Sequence, residues 1–346
     1  MSNETSLIEM IEGVEHQRNA RRSFMRLCGG AAVMTGGLSL LAACDNDEDN
    51  DVTPAPTPTP TPAPTAGTVT DVDVLNFALQ LEYLEANYYS YATTGQGIAG
   101  GLQTGTGTQG AVIAGSGAGA ARQVTFTDPI LAQYAREIAA DEIAHVTFLR
   151  TALGASAAAQ ASINLSGSAS VTTPGGTAVG AFTAAARAAG VVGPNDIFDP
   201  FASDENFLIG SYLLTDVGVT AYRGAARLIS NKTFLEAAAS ILTTESYHDG
   251  VIRSSLWQRG LAAPTIYTRI KQISDARDGL DGGSDTDQDI GDATTANLVP
   301  TNNNGLVLGR TPQQVLNVVY LTRTAVNAGG FFPAGINGNV RTSGAN

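Results

Sequence analysis

Two histidines of this chain each follow a glutamate by three residues. Glu142-Ile-Ala-His145 and Glu245-Ser-Tyr-His248 repeat the same E-x-x-H spacing in two distant segments. Residues three apart on a helix lie on the same face, so each pair would present one carboxylate and one imidazole to the same point. Each pair can therefore supply half of the ligands of a metal site, and two facing pairs can hold two ions.

Both pairs interrupt a stripe of apolar residues at helical spacing. Ile138 and Leu149 continue the first stripe, and Ile241, Ile252 and Leu256 continue the second. A carboxylate buried on such a stripe is costly unless it has a partner, and metal ions are natural partners for two such pairs. A hydrogen-bonded Glu–His bridge is the alternative for either pair alone. The repeat at both histidines, in a chain with few glutamates, favours metal ligands.

Two further predicted helices supply the other candidate ligands. In the first, Glu82 lies on the apolar stripe and Glu85 follows one turn later. In the third, Thr215 lies on the stripe and the nearest acid, Asp216, is one step away from it. A solvated Glu85 and a salt-bridged Asp216 are the alternatives to metal binding. The full set of candidate metal ligands is Glu82, Glu85, Glu142, His145, Asp216, Glu245 and His248.

Apolar periodicity predicts an all-α domain with four long helices, at about 71–91, 127–153, 203–229 and 231–259. We interpret residues 70–261 as an antiparallel four-helix bundle. Loops rich in small residues, at 93–125 and 154–202, are interpreted as insertions that cover the bundle ends; the second contains a short helical piece near 182–189. Residues 262–346 are expected to form a C-terminal extension packed on the bundle. A Thr311…Gln314 capping box predicts a helix in it from 312 to about 325.

The extension also contains an acidic, glycine-rich segment. Asp285, Asp287, Asp289 and Gly291 resemble part of a calcium-binding loop. An EF-hand needs glycine where Ile290 stands, and it ends on a glutamate that this segment lacks. We therefore expect a solvated acidic turn here and no calcium site.

The first 44 residues are typical of an export signal. Arg21-Arg22-Ser-Phe24-Met-Arg26 matches a twin-arginine motif, and the apolar stretch after it is too short and too glycine-rich for a membrane span. Leu41-Ala42-Ala43-Cys44 is typical of a lipobox, in which Cys44 is lipidated. Ordinary cleavage with an incidental cysteine is the alternative. We expect a periplasmic or cell-envelope location, a lipid anchor in the membrane at Cys44, and an extended Pro/Thr-rich linker at 45–69.

Composition excludes several classes of function. No cysteine follows Cys44, so disulfides, zinc–thiolate sites and cysteine nucleophiles are excluded from the folded part. The chain has a formal net charge of −13 and no basic cluster. An acidic chain of this kind is a poor ligand for nucleic acid, and we expect no nucleic-acid partner.

Several segments together resemble one family. The stretch 75–85, the two E-x-x-H helices, the stretch 216–222 and the C-terminal stretches 313–320 and 329–333 are similar to the ferritin-like family that includes plant desiccation-related proteins, and to its exported bacterial members. The resemblance implies a ferritin-like four-helix bundle with a metal centre. It also implies that the metal ligands are Glu82, Glu142, His145, Glu245 and His248.

One position departs from that family pattern. Bacterial members often have glutamate where this chain has Thr215. If that glutamate is a ligand, Asp216 or Glu85 substitutes for it here, or one metal position is weak or empty.

These observations lead to two main hypotheses. The first is an exported protein with a dinuclear iron or manganese site, which reacts with O₂ or peroxide as an oxidase, a peroxidase or a catalase-like enzyme. The second is a non-catalytic stress-protective or structural envelope protein that carries a degraded metal site. Iron storage is a weaker third hypothesis, because a tethered chain with long inserted loops suits a closed cage badly. A homo-oligomer is compatible with all three.

Overall fold

The computed structural model describes residues 69–283 and 286–346, and Val69–Asn346 form one unit. Seven α-helices occur in these residues: α1 Asp71–Thr94, α2 Pro129–Leu153, α3 Ala181–Ala188, α4 Asp204–Ala226, α5 Lys232–Gly260, α6 Thr265–Asp281 and α7 Pro312–Tyr320. The signal, the lipobox with Cys44 and almost all of the linker lie outside the described residues. None of the described helices is both long enough and apolar enough to cross a membrane.

Helices α1, α2, α4 and α5 form the predicted antiparallel four-helix bundle, so the predicted all-α fold is confirmed. Each of these four helices begins at a polar cap: the side chains of Thr70, Asp128, Ser203 and Asn231 accept hydrogen bonds from the first backbone N–H groups. At one end of the bundle, the Asp71 carboxylate at the start of α1 accepts hydrogen bonds from the turn between α4 and α5. At the other end, Arg259 of α5 forms an ion pair with Asp128.

Helix α1 is buried on nearly all sides, because the 154–203 segment lies along its outer face. Asn76, Gln80 and Asn87 form a row of buried amide side chains on that face. Gln80 donates to the carbonyl of Ala159 at 2.9 Å and accepts from the N–H of Ala161 at 3.1 Å. The inserted segment therefore covers the side of the bundle, and the expectation that the insertions cover its ends was incomplete.

Two small β-ladders stabilise the inserted segments. Strands β1, Val112–Ile113, and β2, Ile163–Asn164, pair in parallel and join the two long loops to each other. Strands β3, Val171–Thr173, and β4, Gly176–Ala178, form an antiparallel hairpin. The long inserted loops therefore contain short segments of regular structure.

The C-terminal part differs from its prediction in three respects. Helix α6 was not predicted from the sequence, and it includes the start of the acidic, glycine-rich segment. Helix α7 has the predicted Thr311–Gln314 capping box but ends at Tyr320, because Leu321 adopts a left-handed conformation with φ of 55°. Asp287, expected in a solvated turn, is buried and forms ion pairs with Arg277 and Arg310, both at 2.6 Å. The predicted solvated turn is wrong at this residue, since it belongs to a buried ionic network.

Candidate metal centre

Three helices bring carboxylates and imidazoles to one point in the middle of the bundle. Helix α1 contributes Glu82, α2 contributes Glu142 and His145, and α5 contributes Glu245 and His248. All five residues are buried, and Glu142 and Glu245 are 0% and 1% exposed. The E-x-x-H spacing therefore has the predicted effect, because both pairs point inward from facing helices.

The imidazole of His145 lies at the centre of the carboxylates. Its Nδ1 atom is 3.2 Å from Oε2 of Glu82, 3.3 Å from Oε1 of Glu245 and 3.6 Å from Oε2 of Glu142. Glu82, Glu142, His145 and Glu245 each offer one ligand atom within 4.8 Å of the other three. This grouping is compact enough for one ion to bind all four residues.

His248 lies on the outer side of the same cluster. Its Nδ1 atom is 3.2 Å from Oε1 of Glu142, and its Nε2 atom is 3.3 Å from Oδ2 of Asp141. The ring therefore joins the buried Glu142 to a partly exposed carboxylate. Asp141 was not among the predicted site residues; its signal was an acid one turn before His145, next to the first E-x-x-H glutamate.

The cluster contains buried oxygen atoms without hydrogen-bond partners. Both carboxylate oxygens of Glu142 and both of Glu245, as well as Nδ1 of His248, have no partner in hydrogen-bond geometry among the described residues. The ion-pair distances to the histidines are short, but their angles do not meet that geometry. Buried carboxylate oxygens are normally satisfied, and a cation bound between them would satisfy them. The residues present therefore fit a metal ion with oxygen and imidazole ligands.

Burial and mutual repulsion raise the pKa values of most of these carboxyl groups. The pKa of Glu82 rises to about 8, with burial as the largest cause, although the neighbouring His145 lowers it. Burial and the charge of Glu142 raise the pKa of Glu245. Burial would also raise the pKa of Glu142, but His145 and His248 together lower it to about 2. Glu142 therefore stays charged when no metal is bound.

Both histidines bind protons strongly in this acidic environment. Burial would lower the pKa of His145, but Glu82, Glu142 and Glu245 raise it far above its usual value. Burial also lowers the pKa of His248, but Asp141 and Glu142 outweigh this effect and raise the pKa to about 10. In the metal-free protein, protons thus take the place that a cation would occupy.

Helix α4 meets the cluster without supplying a carboxylate to it. Tyr222 donates a short hydrogen bond to Oε1 of Glu82, and Thr215 donates one to Oε2 of Glu85 at 2.7 Å. Glu85 is buried, so a solvated position for it is wrong. It lies beside the cluster. Burial raises the pKa of Glu85, and the nearby Glu245, Glu142 and Glu82 raise it further.

Asp216 is not part of this cluster. Its two carboxylate oxygens bind Arg253 at 2.6 Å and Arg277 at 2.8 Å. The salt-bridged alternative therefore describes its contacts, and a metal would have to displace two arginines to reach it. The step of one residue away from the stripe, visible in the sequence, is the reason that Asp216 faces α5 and α6.

Comparison with known families agrees with this fold. The model of a ferritin-like domain matches residues 70–258, which include all four bundle helices. The chain belongs to the ferritin-like domain family.

Two curated relatives are similar over most of the chain. A protein of Nesocodon mauritianus named ferritin-like catalase Nec2 is 26% identical over 288 residues, covering 78% of this chain and 84% of the relative. The desiccation-related protein PCC13-62 of Craterostigma plantagineum is 26% identical over 275 residues, covering 71% of this chain and 76% of the relative. No solved structure matches the chain.

Proposed function

We propose that this protein binds two iron or manganese ions between α1, α2 and α5 and uses them in a reaction with peroxide or O₂. One observation carries the proposal: the four buried oxygens of Glu142 and Glu245 have no hydrogen-bond partners and face two histidines. Carboxylate and imidazole ligands suit iron and manganese. The proposed ligands are Glu82, Glu142, His145, Glu245 and His248.

The ions, when bound, would supply the change of oxidation state that the reaction with peroxide or O₂ requires. The chain supplies the surroundings. The bundle core keeps bulk water from the ligands, since all five are buried. The Tyr222 hydroxyl donates a hydrogen bond to Glu82, and this bond holds the carboxyl group of Glu82 in place. Asp141 is partly exposed beside His248, and a small substrate and its protons would enter on that side.

Peroxide is the substrate to test first, because one relative is named a catalase. The full chain is loaded with Mn²⁺ or Fe²⁺, its metal content is measured, and oxygen release from hydrogen peroxide is followed. We expect close to two ions per chain and peroxide breakdown that depends on them. His145→Ala with His248→Ala should abolish both. Glu137→Ala, an exposed site on α2, is the matched control. Less than about one ion per chain, unchanged in the double variant, would disprove the proposal.

A second function is favoured by the α4 face. Within the described chain, α4 sends no carboxylate into the cluster and presents Thr215 instead. This feature, together with the similarity to a desiccation-related protein, supports a non-catalytic protective protein with a degraded site. In that case, the protein should protect a dried test enzyme equally well with and without metal, and the double histidine variant should protect as well as the native chain. Loss of protection in the variant would exclude this function.

We further propose that the chain is exported by the twin-arginine route and anchored by a lipid at Cys44. The support lies in the sequence alone, in Arg21-Arg22 and in the lipobox. Replacing both arginines with lysine should keep the protein inside the cell. Cys44→Ala should release the exported protein from the membrane fraction; a variant that stays with the membrane would contradict the lipid anchor.

A further inference from the structure

Helix α4 faces the candidate metal centre with small or neutral side chains. Thr215, Gly218 and Tyr222 lie on one side of the helix, toward the glutamates of α1 and α5. Helices α1, α2 and α5 each place a carboxylate in the cluster. A four-helix site that lacks a ligand from one helix either loses an ion or takes the ligand from another helix.

Glu85 of α1 reaches the part of the site that α4 leaves open. It is buried, and its Oε2 atom accepts a hydrogen bond from the Thr215 hydroxyl at 2.7 Å. That hydroxyl also lies 2.7 Å from the hydroxyl of Tyr89. The contacts with α4 thus fix one oxygen of Glu85 and set the direction of its carboxylate.

Gly218 provides the space for this arrangement. A Cβ atom at this position would lie 2.8 Å from Oε1 of Glu85 and 3.3 Å from Oε2 of Glu245. The second oxygen of Glu85 and an unpartnered oxygen of Glu245 therefore lie over the same point of α4. Any side chain on residue 218 would press on both carboxylates.

We propose that Glu85 is the metal ligand that α4 does not supply, and that Thr215 and Gly218 are its positioning residues. Thr215 holds one oxygen of Glu85, and the open space at Gly218 lets the other turn toward an ion beside Glu245. This inference rests on the proposed metal-binding function and assigns one of its ligands to a different helix. The site then needs no carboxylate from α4.

The geometry argues against a purely structural role for Glu85. A carboxylate buried among Glu82, Glu142 and Glu245 is unfavourable unless it binds a proton or a cation. If Glu85 served only to accept the Thr215 hydrogen bond, the neutral oxygen of glutamine would serve as well and would need neither. A ligand role therefore predicts that Glu85→Gln weakens metal binding without destabilising the metal-free protein.

The test is a titration of the metal-free full chain with Mn²⁺, followed by calorimetry and by metal analysis. Spin resonance then distinguishes a coupled pair of ions from single ions. We expect two ions per native chain. Glu85→Gln should bind one ion tightly and the second at least about tenfold more weakly, because loss of even a hydrogen-bond partner of a metal ligand typically costs about 10- to 100-fold in affinity. Its metal-free form should unfold at the same temperature as the native form or at a higher one.

Two variants act on Glu85 without replacing it. Gly218→Ala places a methyl group against its carboxylate and should weaken the second ion about as much as Glu85→Gln does. Thr215→Val removes the hydroxyl at similar volume and should also weaken binding of the second ion. Thr215→Ser keeps the hydroxyl and should bind the second ion as the native chain does. Gly279→Ala on α6 and Glu137→Gln on α2 are the controls, because nothing lies within 4 Å of a Cβ at 279 and Glu137 is exposed.

Native binding of both ions by Glu85→Gln and Gly218→Ala would overturn this inference and leave the proposed function intact. The inference also fails if Glu85→Gln lowers the unfolding temperature of the metal-free protein while its ion content is unchanged, since that result indicates a structural role. A native chain that binds no ion would instead disprove the proposed function itself, so the two failures are distinguishable.

Discussion

At the scale of single residues, the orientation of His248 depends on the acid that precedes the first E-x-x-H glutamate. Asp141 binds Nε2 of the ring, and Nδ1 consequently faces Glu142 in the cluster. Histidines that ligate metals commonly donate their second ring N–H to a carboxylate, which fixes the ring and makes it a stronger ligand. Asp141 has this geometry and is only partly buried, so it can be replaced at little cost to folding.

We expect Asp141→Ala to lower the affinity for Mn²⁺ by about 10- to 100-fold. The free energy of unfolding of the metal-free protein should change by less than about 1 kcal/mol, because the lost contact is near the surface. Calorimetric titration and urea denaturation measure the two quantities. The same substitution at Glu137, exposed on the same helix, should affect neither. Unchanged affinity in Asp141→Ala would show that His248 needs no orienting partner.

Metal binding should release protons. Glu82 has a pKa of about 8 and His248 has a pKa of about 10, so both groups are mainly protonated below pH 8. Metal ligands must be deprotonated, so ions compete with protons and the apparent affinity should rise as the pH increases from about 6 to 8. Calorimetry of Mn²⁺ binding in buffers of different ionisation enthalpy counts the released protons. An affinity independent of pH in this range would contradict the assigned ligands.

Residue types and spacing were sufficient to predict which side chains meet in the core. Both E-x-x-H pairs and Glu82 could be placed there because each lies on an apolar stripe, and such a stripe becomes the core face of a helix. The roles of Asp216 and Asp141 could not be assigned. Each depends on side chains from other helices: Asp216 on Arg253 and Arg277, and Asp141 on a ring from α5.

At the scale of elements, the four bundle helices were predicted and α6 was missed. The bundle helices combine caps with long apolar stripes. Helix α6 has many charged and polar residues, and its sequence resembles a solvated segment. Its buried face carries Arg277 and Asp281, whose partners come from distant parts of the chain. The first half of this face carries Ile266, Ile270 and Ile273 at helical spacing, which is a local signal that was overlooked, whereas burial of its second half depends on those ionic partners.

The buried ionic network should therefore be essential for the stability of α6. Asp287→Ala removes one of the two buried carboxylates that each of Arg277 and Arg310 binds, and it should destabilise the protein by about 3–5 kcal/mol. Asp275→Ala is the matched control, because its pair with Lys271 lies on the same helix but is exposed on both sides. The control should cost at most about 1 kcal/mol. Similar losses in both variants, measured by urea denaturation, would mean that burial of the network contributes nothing.

At the scale of the whole molecule, the segments around the bundle are structural parts of it. The 154–203 segment covers α1, and the C-terminal part crosses α4. Arg310 donates its backbone N–H to the carbonyl of Thr220 at 3.0 Å, and its side chain binds Asp281 and Asp287. Helices α1 and α4 are consequently buried on faces that a bare four-helix bundle would expose. The sequence indicated this through its long inserted loops and through the extension that follows the bundle.

The crossing at Gly224 offers a direct test of this dependence. A Cβ at Gly224 would lie 1.7 Å from the carbonyl oxygen of Arg310, so Gly224→Ala must push the crossing chain away from α4. This shift strains the bond to Thr220 and the buried ion pairs, and we expect a loss of at least about 1–3 kcal/mol. Gly250→Ala, within α5 and with nothing inside 4 Å of its Cβ, should instead stabilise the protein by about 0.5–1 kcal/mol. Thermal unfolding should therefore shift in opposite directions in the two variants. A Gly224→Ala protein as stable as Gly250→Ala would mean that the C-terminal part can leave α4 without cost.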